Sequence, residues 1–249
     1  MIDDHQLLVV KFGTTSVCEP ESLKIKEDWI QSVASDIKSV LAEGTKIVVF
    51  TSGGLATGRR RMTKFEHAQS LSDKPKLLGA IGLNELLYTW QKNFDLVGLS
   101  SAPLSIREED LDSTEICALI REMTALNIIP IINENIPLQS HFNNDSLAAM
   151  ICKKIGATQF ILFTDTNGVF TDNPKTNPKA VQLEELSIKK LNIGLEDTAD
   201  SLGSGGMRAK LSSAVKVKEQ GIDTLIANGT ALHPISRLTS RKGFTRLVD

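Results

Sequence analysis

Residues 7–16 read LLVVKFGTTS, an apolar run that is followed by a lysine and a glycine turn. Two further segments share this character: TSGG at 51–54 follows the apolar run IVVF, and GSGGMRAK at 203–210 leads into a helical pattern. Backbone N–H groups at such turns, with a helix N-terminus behind them, bind anions. Lys11 and Lys210 could neutralise charge on a phosphoryl group in transit. The three segments together indicate a phosphate-handling site of the kind found in kinases.

Short runs rich in Val, Ile and Phe alternate along the chain with longer stretches of helical period. This alternation is typical of a parallel sheet covered by helices on both faces. We predict strands at 7–10, 47–50, 128–132, 160–164 and 224–227, and a weaker strand near 96–99. The fold class is therefore α/β, with a mainly parallel central sheet.

Apolar positions at helical spacing predict five helices, at about 23–41, 76–93, 114–126, 145–155 and 207–220. Gly44, Gly156 and Gly221 stand where three of them should stop. Residues 172–178 (DNPKTNP) and 229–234 are dense in turn formers and are predicted to be loops. Because no low-complexity linker or internal repeat divides the chain, we expect one domain over residues 1–249.

Composition narrows the choice of partners. The net charge of the 249 residues is −2 and no long run has a single sign, so we expect neither nucleic acid nor a membrane as a partner. The three cysteines show no CxxC spacing and the four histidines lie far apart, so no disulfide framework or metal site is indicated. With no apolar leader and no run of membrane-spanning length, a cytoplasmic location is expected.

Several polar segments allow two interpretations. Asn133-Glu134-Asn135 follow a predicted strand, where they would hold a small polar substrate or form a capped turn. Asn144 and Asp145 precede a helix that either residue could cap, and Thr164-Asp165 could be a turn or a nucleotide contact. For the basic cluster at 59–61 a solvated loop is favoured over phosphate steering.

Taken together, these motifs resemble the amino acid kinase family over nearly the whole chain. Within the family the resemblance is to the kinases that phosphorylate L-glutamate. Many of them carry an additional C-terminal PUA domain, and the resemblance is to members without it. The set of motifs, in this order, is more specific than any one of them. They are VVKFGT at 9–14, TSG at 51–53, IINEN at 131–135, NDSL at 144–147, TD at 164–165 with Gly168, and GGM at 205–207 leading to Lys210.

The resemblance implies a three-layer α/β/α sandwich, the amino acid kinase fold. An acid-binding lobe would cover about residues 1–155 and an ATP-binding lobe about 156–249. The implied activity is a phosphotransferase reaction with a carboxyl group as acceptor: the γ-carboxylate of L-glutamate attacks ATP in the presence of Mg²⁺ to give glutamyl 5-phosphate, the first step of proline biosynthesis. Family members are often homodimers or homotetramers, so a homo-oligomer is expected.

The resemblance also implies roles for individual residues. Lys11 and Lys210 would stabilise the transferring phosphoryl group, and Asp145 would hold both lysines in position, which makes these three the implied catalytic set. The implied acid-binding residues are Ser52, Gly53, Asn133 and Asn144. The implied nucleotide-binding residues are Lys11, Gly13, Thr164, Asp165, Ser204, Gly205, Gly206, Met207, Arg208, Ala209 and Lys210.

The sequence departs from the family pattern on the acid side. Ile136 stands where the family has an aspartate that meets the substrate's amino group, Phe142 and Asn143 replace a glycine and an aspartate, and Leu83 replaces a glutamine. Two alternatives to glutamate phosphorylation therefore stay open. One is a kinase of the same fold that acts on a different small acid or phosphate, and the other is a nucleotide-binding protein that has lost catalysis.

Overall fold

A computed structural model describes residues 6–63, 74–138, 144–189, 191, 205–240 and 243–249. Within them, eight strands form one sheet in the order β3-β4-β2-β1-β5-β7-β8-β6. Neighbouring strands are parallel except for the antiparallel pair β7 and β8. The strands are β1 (Leu7–Phe12), β2 (Lys46–Thr51), β3 (Ser101–Ile106), β4 (Ile129–Glu134), β5 (Gln159–Thr164), β6 (Glu185–Ser187), β7 (Asp223–Asn228) and β8 (Phe244–Val248).

Helices cover both faces of this sheet. One apolar cluster joins α2 and α4 to one face, a second joins α5 and α6 to the other, and a third joins α7 to β7 and β8. The predicted three-layer α/β/α arrangement is thus confirmed. The helices in the described residues are α1 (Thr14–Val17), α2 (Glu27–Ala42), α3 (Gly54–Met62), α4 (Pro75–Leu96), α5 (Glu115–Ala125), α6 (Asn144–Ile155) and α7 (Gly205–Lys218), with 3₁₀ turns at Glu109–Leu111 and Ser236–Ser240.

The five strands predicted from continuous apolar runs are confirmed, because strands buried on both faces carry such runs. The weaker strand near 96–99 is wrong: Leu96 ends α4, and the next strand, β3, begins at Ser101. That strand lies at an edge of the sheet, is only partly buried and contains Pro103, so it has no apolar run to reveal it.

The predicted helix stops are also confirmed. Gly44, Gly156 and Gly221 have φ of +87°, +78° and +81°, the left-handed conformation that glycine adopts after a helix. The five predicted helices correspond to α2, α4, α5, α6 and α7, with ends that differ by a few residues. Residues 172–178 form turns, as predicted.

The basic cluster at 59–61 is not a solvated loop, so that prediction is wrong. Arg59, Arg60 and Arg61 form the last turn of α3. The guanidinium groups of Arg60 and Arg61 both pair with the Glu85 carboxylate on α4, at 3.2 Å for Arg61. Arg60 and Arg61 therefore join α3 to α4.

Helices α3 and α4 approach each other unusually closely through glycine. A Cβ atom on Gly58 would overlap the carbonyl oxygen of Leu78 and lie 2.8 Å from its carbonyl carbon. A Cβ atom on Gly82 would overlap the carbonyl oxygen of Gly54 and lie 2.9 Å from the Cα of Gly58. Since backbone atoms are the obstacle in both cases, no side-chain rotation could relieve the overlap. This contact fixes α3, and with it Gly54 at the edge of the sheet.

We predict that Gly82→Ala lowers the free energy of unfolding by about 3 kcal/mol, because the added methyl group forces the two backbones apart. Helix propensity alone predicts the opposite sign, a gain of about 1 kcal/mol. Ala80→Ser is the matched control, since it adds one heavy atom on the exposed side of the same helix. Urea unfolding measures both variants, and a neutral or stabilising Gly82→Ala would contradict the close approach.

Candidate active site

The candidate site lies at the carboxyl edge of the four central strands, β4, β2, β1 and β5. Gly13, Ser52 and Asp165 each follow directly after one of these strands, and Asn133 and Glu134 end another. In the sheet, β1 has β2 on one side and β5 on the other, so successive strands of the chain are added first on one side of β1 and then on the other. Ligands of open α/β sheets bind at such a reversal.

Phe12 and Lys11 point to opposite faces of β1 because side chains alternate along a strand. Phe12 packs with its ring centroid 5.0 Å from that of Trp29 and 4.7 Å from that of Phe163, within the cluster that contains α2 and α4. Lys11 points to the side of α6, as Val9 does, and is almost completely buried. Aromatic packing on one face thus holds the strand that presents a lysine on the other.

Two lysines share one carboxylate at this edge. The ammonium group of Lys11 forms an ion pair with Asp145, in the first turn of α6. The Nζ of Lys210 on α7 lies 3.7 Å from the other oxygen of the same carboxylate. The N-terminus of α6 adds partial positive charge on the same side of the carboxylate. The residues that the resemblance implies as catalytic are therefore brought together.

The charges around Lys11 favour a bound anion. Burial lowers the pKa of the Lys11 ammonium below its ordinary value, the neighbouring Asp145 carboxylate opposes this effect, and Lys210 adds to it. Lys210 acts against the charged form of Lys11 because two cations lie close together here, although Asp145 and Glu134 both act in the opposite direction. A phosphate group bound between the lysines would offset the repulsion between them.

A cavity of about 490 Å³ opens beside the lysines. Of the predicted nucleotide-binding residues, Gly13, Thr164, Asp165, Gly206, Met207 and Lys210 line it. Arg208 and Ala209 lie on α7 outside this lining, Gly205 begins that helix, and Ser204 lies outside the described residues. Sequence reasoning missed Thr14, Thr15, Thr166, Phe170, Asp172, Asn173, Pro174 and Lys175, which also line the cavity.

The wall of the cavity carries a further cation. Lys175 forms an ion pair with Asp165, and its side chain is 63% exposed. Burial tends to raise the pKa of Asp165, but the hydrogen bond and charge of Lys175 outweigh burial and hold the pKa below its ordinary value. The turn formers around Lys175 predicted only a loop, and nothing in their pattern showed that the loop returns to the site.

The predicted acid-binding residues also lie together. The side-chain amide of Asn133 donates to the carbonyl of Thr51 at 2.5 Å, and that of Asn144 reaches the hydroxyl of Ser52 at 3.4 Å. The Asn144 amide oxygen accepts a 2.8 Å hydrogen bond from the backbone N–H of Glu134. Gly53 has φ +121°, and a Cβ atom there would lie 3.2 Å from the sulfur of Cys18, so the turn requires glycine.

Glu134 lies in the same region, and no pattern in the sequence indicates that one of its carboxylate oxygens is buried. Its Oε2 atom is buried and has no hydrogen-bond partner. Burial raises its pKa to about 7; Lys11 opposes the shift and Asp145 adds to it.

The departures from the family pattern form an apolar wall next to the acid side. A Cβ atom on Gly54 would lie 3.1 Å from Ile136 and 3.7 Å from Leu83, so both side chains pack at the start of α3. Ile136 also packs on Gly79 of α4. Phe142 and Asn143 lie outside the described residues.

The residues that the structure describes contain no metal-binding cluster and no helix that could span a membrane. Their His, Cys, Asp and Glu side chains form no group of three or more that could hold a metal ion. None of the helices in the same residues is both long enough and apolar enough to cross a membrane.

A three-layer α/β/α sandwich defines a phosphotransferase when two lysines, one from a central strand and one from a helix, surround one carboxylate beside a glycine-lined cavity. Residues 6–228 match the sequence profile described as the amino acid kinase family. The chain belongs to that family, which confirms the resemblance derived from the motifs.

Curated relatives and a solved structure agree with this assignment. The glutamate 5-kinase of Aliivibrio fischeri is 31% identical over 97% of this chain and 68% of its own length. That of Citrobacter koseri is 33% identical over 92% of this chain and 65% of its own length. The chain thus spans about two thirds of these relatives. The carbamate kinase of Giardia lamblia bound to AMP-PNP matches 99% of both chains with a TM-score of 0.73 at 13% identity, which shows the shared fold.

We predict that Asp145→Asn lowers the free energy of unfolding by about 3 kcal/mol, because it leaves buried Lys11 without its counter-charge. A non-hydrolysable ATP analogue should still bind and should restore part of this loss, since its phosphates replace the missing anion. Thermal unfolding with and without the analogue measures both effects.

Asp110→Asn is the matched control for this prediction. Asp110 pairs with Arg107 at 2.7 Å in a partly exposed position, where such pairs contribute about 1 kcal/mol or less. Equal effects of the two substitutions would contradict a special role for the buried ion pair.

Proposed function

We propose that this chain transfers the γ-phosphoryl group of ATP to the γ-carboxylate of L-glutamate, giving glutamyl 5-phosphate and ADP, the first step of proline biosynthesis. The observation that carries the proposal is the cluster of Lys11 and Lys210 around Asp145, in which Lys210 also lines the cavity. The curated relatives named glutamate 5-kinase support the choice of acceptor.

The proposed step is a direct displacement. An oxygen of the acceptor carboxylate attacks the γ-phosphorus, a new P–O bond forms, and the bond to the leaving ADP oxygen breaks. Because the carboxylate is already ionised, no protein base is required. Lys11 and Lys210 stabilise the charge on the transferring group, and Asp145 positions both lysines.

The two substrates would approach from opposite sides of these lysines. ATP would occupy the cavity lined by Gly13, Thr164 and Gly206. The acceptor would contact Ser52, Gly53, Asn133 and Asn144. Hydrogen bonds join Asn144 to Ser52 and Asn133 to the carbonyl of Thr51, next to the first turn of α3. The N–H groups of that turn have no partner within the helix and suit a carboxylate.

The proposed cofactor is Mg²⁺, which would neutralise charge on the ATP phosphates. Mg²⁺ usually reaches kinases on the nucleotide and keeps several water ligands. Such a mode of binding requires no preformed protein cluster.

A second candidate acceptor is a different small acid or phosphate. The apolar wall formed by Ile136 and Leu83 beside Gly54 favours it, because these side chains offer no polar contact to an amino acid. Loss of catalysis is disfavoured, since a non-catalytic protein needs no pair of cations facing one anion.

Further features stay predictions. The single sheet supports one domain over residues 1–249, in which an acid-binding lobe at about 1–155 and an ATP-binding lobe at about 156–249 share the strands. Assembly into a homodimer or homotetramer and a cytoplasmic location are likewise proposed.

ADP release tests the proposed function directly. The rate of ADP release by purified protein with Mg·ATP is measured with L-glutamate, with each of a panel of other acids, and without an acceptor. Hydroxylamine is present to trap any acyl phosphate as a hydroxamate. Glutamate-dependent hydroxamate is the expected result. Turnover with another acid instead would favour the second candidate, and no turnover with any acceptor would overturn both.

We predict that Lys210→Ala lowers kcat by about 10³-fold while the protein stays folded, because one cation facing the transferring phosphoryl group is removed. Lys216→Ala, on the exposed side of the same helix, should keep the kcat of the unchanged protein. Steady-state ADP release and circular dichroism measure the two properties. An active Lys210→Ala protein would contradict the catalytic role.

A further inference from the structure

Three carboxylates lie at the carboxyl edge of the central strands, and two of them have cation partners. Asp145 pairs with Lys11 and Lys210, and Asp165 pairs with Lys175. Glu134, at the end of β4, forms no ion pair within the part of the chain that the structure describes. Its Oε2 atom is buried without a hydrogen-bond partner.

Glu134 is partly buried, and an unpartnered buried oxygen on a carboxylate is costly to a fold, because burial removes water without supplying a counter-charge. The raised pKa of Glu134, about 7, reflects that cost. The hydrogen bond that ties Glu134 to Asn144 uses the backbone N–H, so it does not require a carboxylate at this position. A group held at such a cost is typical of a ligand-binding position.

The surroundings place Glu134 on the acceptor side of the site. Its N–H donates to Asn144, which in turn reaches Ser52, so the residue is linked to the proposed acid-binding group and not to the nucleotide cavity. The nearby wall of Ile136 and Leu83 carries no charge. A cationic group on the acceptor would therefore find its counter-charge at Glu134.

We propose that Glu134 is a specificity-determining residue that selects acceptors carrying an ammonium group, by pairing its carboxylate with that group. The inference rests on the proposed function and deepens it, because it assigns the acceptor to the amino dicarboxylates rather than the simple dicarboxylates. It leaves phosphoryl transfer itself to Lys11 and Lys210.

A pair of acceptors that differ only in the ammonium group provides the test. The ratio of kcat/KM for L-glutamate to that for glutarate is measured in the unchanged protein and in Glu134→Gln. We expect the variant to lose about 100-fold on L-glutamate and less than about 3-fold on glutarate, because only the first loses a buried charge partner. Glu134→Asp should keep part of the preference, and the exposed Glu122→Gln is the matched control that should keep all of it.

The pH dependence gives a second readout. Lys11 on β1 and Asp145 on α6 are the charged groups that act on Glu134, in opposite directions. Since only ionised Glu134 pairs with an ammonium ion, KM for L-glutamate should fall as the pH rises through about 7. KM for glutarate should stay nearly constant over the same range, and both should be flat in Glu134→Gln.

The variant should also fold. In the unchanged protein the raised pKa of Glu134 gives stability that is complete below its ordinary pKa of 4.5 and lost as the pH rises through about 7. At about pH 8 the unliganded Glu134→Gln protein should therefore be at least as stable as the unchanged one in urea unfolding.

The possible failures separate the two proposals. Equal losses on both acceptors, or an unchanged preference, would overturn the role of Glu134 while the kinase assignment stands. Calorimetric binding of L-glutamate that depends on Glu134, without any turnover, would overturn the proposed reaction alone. Neither binding nor turnover would overturn both.

Discussion

The ion pair between Lys11 and Asp145 fixes the position of the site, because a buried ammonium group requires a counter-charge close to it. Alternation along β1 puts Lys11 on the face that α6 covers, and α6 presents Asp145 in its first turn. Phe12, on the opposite face, locks the same strand into an aromatic cluster. The register of one strand thereby sets where phosphate charge can be balanced.

A second constraint comes from the close approach of α3 and α4. Glycine at positions 58 and 82 lets the two helix backbones touch, and the turn at Gly53 directs α3 away from the end of β2. As a result the first turn of α3 lies next to Ser52 and Asn144. The N–H groups of this turn, which have no acceptor within the helix, would therefore lie beside the proposed acceptor substrate.

The sequence predicted those parts of the fold whose signal is local. Strands buried on both faces have continuous apolar runs, and a glycine in the left-handed conformation marks the C-terminus of a helix. The edge strand β3 and the glycine- and arginine-rich α3 carry neither signal, so sequence patterns missed them. Long-range pairs such as Lys210 with Asp145 came from the family resemblance, because no local pattern relates residues so far apart. That Glu134 lacks a partner depends on everything packed around it, which a sequence does not show.

The apolar wall and the unpaired carboxylate strengthen each other's effect. Ile136 and Leu83 pack at the start of α3, and apolar surroundings make nearby charge interactions stronger. The desolvation that raises the pKa of Glu134 also makes its ionised carboxylate bind a cation more strongly. An acceptor with an ammonium group would thus relieve a cost that the unliganded protein carries, whereas a simple dicarboxylate has no group that could do so. Because Ile136 and Leu83 offer no polar contact, the ion pair between Glu134 and the acceptor's ammonium group would be the main source of selectivity. The preference for an acceptor would then follow the ionisation of Glu134.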